Sequence, residues 1–213
     1  MNTPSLQRRQ RERAQTRQQI LDAARELFVR HGYEATSMRA IADRLEYTPT
    51  ALYHHFRNKE ALLSELCVQD FRSCRMNFQR IGHQPDPVER LREIGAAYLA
   101  FALEHPVQYQ FMFMTQRPHI LGDGNDIARG DPSEDSYAFL RQAVADAIAA
   151  GRFRPELDDA DQVAQMLWGA LHGIISLHII KGDDPWIDWR DLQETATHAG
   201  QVMTRGLLRE QPV

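Results

Sequence analysis

Cysteine is scarce in this chain: two in 213 residues, Cys67 and Cys74. They lie seven apart in a helical pattern, on one face and about 10 Å apart along the axis. A disulfide needs Cα atoms within about 7 Å, so the two cannot pair with each other inside one helix. They read as small buried or half-buried thiols, with redox sensing as the alternative. No second Cys or His pair stands beside them at ligand spacing, so no metal site is expected. Long hydrophobic runs are also missing. No stretch approaches the roughly 18 to 20 apolar residues of a membrane span, and no membrane partner is expected. The basic start, MNTPSLQRRQRERAQTRQQ, is not followed by an apolar stretch of signal-peptide type, so a cytoplasmic protein is expected. Paired carboxylates in a motif, a nucleophile elbow and a phosphate loop are lacking, which leaves an enzyme or a carrier of apolar metabolites without support. No cofactor is expected.

What is present is an ordinary globular composition, 43% hydrophobic and 25% charged. The length suits one large domain or a small and a medium one. The net charge of −4 hides an asymmetry. Residues 1–60 carry 11 Lys and Arg against 7 Asp and Glu, whereas residues 61–213 carry 14 against 22. A small basic end on an acidic body directs only the N-terminal part toward a polyanion.

Helical periodicity runs through the whole chain, and no alternating strand pattern or internal repeat interrupts it. In TRQQILDAARELFVRH (16–31), Ile20, Ala23, Ala24, Leu27 and Phe28 share a face, and Gly32 ends the helix. Thr36 or Ser37 caps a two-turn helix, MRAIADRLE. Thr48 caps another two-turn helix, PTALYHHF, with Pro49 at its first position. Asn58 caps a long helix over 59–81. After GHQPDP come a helix ending before Pro106, an aromatic and Met-rich segment over 107–117, and a Gly- and Pro-rich loop over 118–133. Helices over 134–150, 160–182 and 189–209 complete an all-α chain of about nine helices. The expected partition is a basic flexible arm (1–15), a three-helix unit (16–60, with the start of the connecting helix 59–81), and a larger helical domain (82–213).

Two short helices joined by a tight turn, with a longer helix before them, form a helix-turn-helix pattern. The second helix of such a pair enters the major groove, about 12 Å wide, while the first crosses the backbone. ATSMRAIADRL followed by TPTALYHHFRNKEALL resembles the N-terminal domain of the TetR family of transcriptional regulators, across roughly residues 16–66. That resemblance implies an all-helical homodimer with a divergent C-terminal domain for ligand binding and dimerisation. MLWGALHGIISL (166–177), with HPVQYQFMF upstream, is similar to a C-terminal class of that family marked by a Trp-Gly-x-x-His-Gly pattern. One position departs: Glu46 stands in the turn where the family usually has Gly. A non-Gly residue there in a left-handed conformation costs about 1 kcal/mol or more, so either the turn carries that strain or its geometry differs slightly.

His54 and His55 are adjacent, so on a helix their side chains point about 100° apart. Helical metal ligands sit four apart, and no two histidines of this chain do. Phosphate contact is the expected role for at least one of them. The resemblance implies backbone contacts for Tyr53 and His55, and a phosphate contact for Lys59 at the start of the next helix. Leu52 and Phe56 read as packing residues. Arg39 suits a guanine edge, with a phosphate contact or a plain surface charge as alternatives. Thr48 and Thr50 offer hydrogen bonds, and Ala51 a contact to a thymine methyl. The candidate DNA-binding set is thus Thr36, Ser37, Arg39, Thr48, Pro49, Thr50, Ala51, Tyr53, His54, His55 and Lys59. Arg8, Arg9, Arg11, Arg13 and Arg17 either follow phosphate or the minor groove, or make a disordered solubilising tail.

In the acidic half, the helix over 160–181 is apolar nearly all round, which places it between its own core and a partner's copy. With the helix near 189–209 it would form an isologous four-helix interface, and Gly169 and Gly173 would allow close approach. Tyr98, Phe101, Tyr109, Phe111, Met112, Phe113, Met166, Trp168 and His172 are candidates to line a pocket for a small apolar or aromatic effector. Plain core packing is the alternative for each, and a hydrogen-bonded core histidine the alternative for His172. The expected function is a ligand-responsive regulator, a repressor released from a palindromic operator by its effector. A DNA-binding regulator without an effector, or an activator, is the alternative.

Overall fold

Proline, glycine and short polar side chains cut the helical pattern at defined points. A computed structural model describes residues 4–79, 81, 84–116 and 130–209, with the backbone alone at 4–5 and 71–79. Among the described residues the elements are α1 (Pro4–His31), α2 (Met38–Arg44), α3 (Pro49–Tyr53), α4 (Lys59–Gln79), α5 (Pro87–Glu104), α6 (Pro106–Phe113), α7 (Ser136–Ala149), α8 (Ala160–Lys181) and α9 (Leu192–Leu207). A single antiparallel bridge, Phe153 to Leu208, is the nearest thing to a strand among them. The side chains of Cys74, Phe71 and Phe78, and most of the 118–133 loop, lie outside the described residues.

The starts and stops have local causes. Ser37 Oγ accepts from the Ala40 amide, Thr48 Oγ1 from Ala51 and Asn58 Oδ1 from Ala61. Asp86, Asp135, Asp159 and Asp191 cap α5, α7, α8 and α9 in the same way. α1 ends at Gly32, with φ +79° and its amide on the Phe28 carbonyl at 2.9 Å. α2 ends in a Schellman arrangement. The Tyr47 amide reaches the Ala42 carbonyl at 2.9 Å and the Glu46 amide reaches Asp43 at 3.2 Å, with Glu46 at φ +58°. Of the two possibilities for this turn, strain or an altered geometry, the structure has the left-handed non-glycine residue.

Two compact units result, one of Met1–Phe71 with Val107–Asp126, the other of Arg72–Pro106 with Ile127–Val213. The division differs from a simple cut between residues 60 and 82, because α6 joins the first unit. There Phe111 is buried and stacks on Phe28 of α1, ring centroids 6.1 Å apart. Ile20, Phe28, Ile41, Leu52, Phe56, Leu62 and Leu66 are buried in the same unit. In the second unit α5, α7, α8 and α9 pack on one another. A Cβ on Gly95 would sit 3.8 Å from Leu171 Cδ2, so α5 and α8 approach closely.

Two expectations meet the structure. First, the sequence leaves open both a start of the helix at Thr16 and a helical charged lead-in, and α1 takes in the lead-in from Pro4 onward as its exposed N-terminal half. Gln, Glu, Ala and Arg favour helix, and Arg8 pairs with Glu12 one turn on at 3.0 Å. Second, α8 does reach the length and hydropathy of a membrane span, with a mean hydropathy of 1.5 over its best 18-residue window. Only 17% of that window is buried in the protomer.

Candidate nucleic-acid interface

The two short helices present a polar surface on a packed base. Ile41, Ala42, Leu52 and Phe56 are buried beneath them. Above, Ser37, Arg39, Thr48, Pro49, Thr50, Tyr53 and His54 are exposed, while Ala51 and His55 are half-buried. The Arg39 side chain is 82% exposed, 3.8 Å from Asp43 one turn on. Pro49 opens α3 at a position where its missing amide costs nothing. The Thr48 hydroxyl caps α3, so its acceptor is partly committed to the Ala51 amide.

Two candidate residues have internal work. Thr36 is only 3% exposed. Its hydroxyl donates to the Gly32 carbonyl at 2.8 Å and lies 3.3 Å from that of Leu27. Of the two cap candidates, Ser37 caps α2 and Thr36 locks the turn behind it. Lys59 Nζ donates to the carbonyls of Tyr33 at 2.7 Å and Thr36 at 2.8 Å. It also lies 4.1 Å from the centroid of the Tyr33 ring. Most of the ammonium's bonding capacity thus tethers α4 to the α1–α2 turn.

Behind α3, Arg17 of α1 fixes the chain. Its guanidinium lies 4.0 Å over the Phe56 ring, pairs with Glu65 and donates to the His55 carbonyl. Glu12, Arg13, Thr16, His54 and His55 line a concavity of about 450 Å³. His55 Nδ1 is buried and has no hydrogen-bond partner. Burial first, then Arg13, Arg17 and His54, lowers the His55 pKa below its ordinary value. No cluster of three or more His, Cys, Asp or Glu able to hold a metal occurs among the described residues.

Comparison with known proteins decides what this surface belongs to. Residues 20–66 match the model described as bacterial regulatory proteins, tetR family. Residues 91–201, half of the chain, match that of the tetracyclin repressor-like C-terminal domain. The chain belongs to the TetR family of transcriptional regulators. Among curated relatives, the HTH-type transcriptional regulator UidR of Escherichia coli K12 is 27% identical over 178 residues, covering 78% of this chain and 83% of UidR. The HTH-type transcriptional repressor KstR2 of Mycolicibacterium smegmatis is 28% identical over 151 residues, 68% of this chain and 71% of KstR2. Two solved structures share the fold. One is the ketosteroid transcriptional regulator KstR2 of Mycobacterium tuberculosis, with TM-score 0.70 and 21% identity over 92% of this chain and 96% of that one. The other is the fatty acid degradation regulator FadR of Bacillus halodurans, with TM-score 0.70 and 20% identity over 91% and 97%.

The candidate effector residues of this TetR-family chain divide between the units. In the second, Trp168 Nε1 donates to the Tyr98 hydroxyl at 3.1 Å, and that hydroxyl lies 3.2 Å from His172 Nδ1. Burial lowers the His172 pKa. Phe101 is buried with its ring 5.4 Å from that of His105. Met166 does not join this group. It is exposed on the opposite face of α8, since two residues along a helix turn the side chain through about 200°. Tyr109, Phe111, Met112 and Phe113 belong to the first unit, with Tyr109 5.1 Å from the Phe113 ring.

Sequence reasoning overlooked Tyr137, whose ring lies 6.1 Å from Trp168 and whose hydroxyl bonds Asp161 at 3.2 Å. No motif marks it. It also overlooked Arg25 and Asp70, where the available signal was a charge set among the apolar positions of two helices.

Proposed function

We propose that this protein is a ligand-responsive repressor that binds a palindromic operator as a cytoplasmic homodimer. The observation that carries the reading is the α2–α3 surface, where Ser37, Arg39, Thr50, Tyr53 and His54 stand exposed on a buried apolar base. Arg39 reads a base edge, while Tyr53 and the histidines hold backbone phosphates, with Lys59 and Thr36 positioning them.

Dimerisation is supported by α8 and α9. Met166, Gly169, Gly173, Leu177 and Ile180 recur along one exposed face of α8, with Val202 and Gly206 exposed on α9. A Cβ at Gly169, Gly173 or Gly206 would meet nothing within 4 Å in the protomer. Each helical glycine costs about 1 kcal/mol relative to alanine, and close approach of a second copy gives that cost a purpose. A two-fold dimer would set the α3 helices about one DNA turn, roughly 34–36 Å, apart.

An apolar effector is supported by the aromatic group around Tyr98, Trp168 and His172. Two structural neighbours are named for ketosteroid regulation and fatty acid degradation, both apolar chemistries. Release requires that the effector bind the DNA-free arrangement more tightly than the DNA-bound one. The test is selection of randomised duplex DNA by the purified protein, with binding repeated at two salt concentrations. A recovered palindrome with steep salt dependence supports the reading; absence of enrichment by folded protein rejects it.

A further inference from the structure

The concavity between α1 and the end of α3 combines three features that nothing in the isolated protein explains. Its walls carry Arg13 and two imidazoles, His54 and His55, with Thr16 and Glu12 beside them. His55 Nδ1 is buried without a hydrogen-bond partner. Its backbone carbonyl is bonded by Arg17, whose guanidinium also rests on Phe56, so the backbone at His55 is held in place. A buried nitrogen without a partner is unfavourable. Arg13 and an imidazole facing the same hollow suit an anion better than a cation or an apolar group.

We propose that this hollow seats one phosphodiester group of bound DNA, and that His55 takes up a proton as the phosphate enters, so that operator affinity rises as pH falls. The inference rests on the DNA-binding reading above.

Charged groups flank the His55 ring. From α1, Arg13 and Arg17 oppose a second positive charge and Glu12 favours it. His54 adjoins on the same turn, and Glu65 of α4 is already held by Arg17. In the free protein the balance with burial favours the neutral imidazole. A phosphate between Arg13 and His55 reverses the local field, because an anion within about 4–6 Å stabilises imidazolium. The bound pKa then exceeds the free one. The sign follows from linkage: extra affinity appears as pH falls through the bound-state pKa. It is complete below the free-state pKa, which lies under the ordinary imidazole value of about 6.5.

The experiment measures affinity for the selected operator duplex by fluorescence anisotropy from pH 8.5 to 5.5, at constant ionic strength. Wild type and His55→Gln are compared, and circular dichroism verifies folding at each pH. Glutamine keeps a hydrogen-bond donor but cannot titrate. Wild type is expected to gain about three- to tenfold per protomer on acidification, bounded by about tenfold per pH unit for one proton. His55→Gln, which removes a proposed phosphate contact, is expected to bind more weakly at pH 8.5 and to lose that gain on acidification. Operator binding with no pH dependence, or with the same dependence in both proteins, overturns the inference and leaves the DNA reading intact. Failure of both folded proteins to bind any selected duplex at any pH overturns the DNA reading itself.

Discussion

Arg25 of α1 and Asp70 of α4 form a buried bidentate ion pair. Nε lies 2.9 Å from Oδ2, Nη2 lies 2.7 Å from Oδ1, and the Asp70 side chain is 0% exposed. Gln108 of α6 donates to the same carboxylate at 3.1 Å, and Asp22 takes a further guanidinium N–H at 2.6 Å. Burial pushes the Asp70 carboxyl up, while Arg25 and Gln108 pull it back. Three helices of the first unit thus meet at one buried charge pair.

Removing Asp70 leaves the buried Arg25 guanidinium with only the half-exposed Asp22 as counterion. Asp70→Asn is expected to destabilise the protein by about 3–5 kcal/mol in urea unfolding. The double change Arg25→Met with Asp70→Leu is expected to cost much less, because the desolvation of both charges disappears with their attraction. Equal losses in the two variants would show that the pair acts through packing rather than charge.

Glu46 holds a left-handed conformation at φ +58° that suits glycine. Relief of roughly 1–2 kcal/mol of steric cost is partly offset by the greater chain entropy of glycine when unfolded, about 0.4–1 kcal/mol. Glu46→Gly is expected to stabilise by about 0.5–1 kcal/mol, read as a rise in the urea midpoint with an unchanged slope. A fall in stability would mean that the Glu46 side chain makes a contact worth more than the strain.

Lys59 and Tyr53 should behave differently although both flank the DNA surface. Lys59→Ala removes the donor from two carbonyls, and a loss of about 1–3 kcal/mol of stability is expected. Tyr53 is 53% exposed. Tyr53→Phe is therefore expected to leave thermal melting unchanged while weakening binding to all duplexes alike. Melting curves and affinities on matched and scrambled DNA separate the two effects.

Arg39 has its guanidinium free to reach a groove, with only a 3.8 Å approach to Asp43. Arg39→Ala is expected to relax preference at one base pair per half-site by about 1–3 kcal/mol. Competition among operators mutated one position at a time measures this. Unchanged preference at every position would remove Arg39 from base reading.

Gly173 distinguishes folding from assembly. Its added Cβ would meet nothing in the protomer, so Gly173→Leu is expected to spare helical content and to disrupt the proposed dimer. Sedimentation would then report a monomer with native circular dichroism. A dimer of unchanged affinity would move the interface elsewhere.

Helix order was legible from sequence because its signals are local. Ser37, Thr48, Pro49 and Asn58 act within three or four residues of themselves, and the φ of Glu46 follows from the turn it occupies. The same locality explains why the exposed residues of α3 could be read in advance, since a five-residue helix on a buried Leu52 has only one face left. What sequence could not decide was which polar groups are spent internally. Thr36 and Lys59 look like surface residues along the chain, and only the folding of α4 back onto the α1–α2 turn brings the Lys59 ammonium to two carbonyls.

The aromatic segment at 106–113 shows the same limit. Its composition suits a pocket or a core equally, because both bury apolar surface. The tertiary structure sets Phe111 on Phe28 and Gln108 on Asp70, within the DNA-reading unit. Sequence alone determined the helices, their caps and the family, because periodicity and capping are properties of neighbours along the chain. The fold decided which side chains remain available to a partner, because burial and hydrogen-bond satisfaction depend on residues up to 74 positions apart, as between Tyr98 and His172.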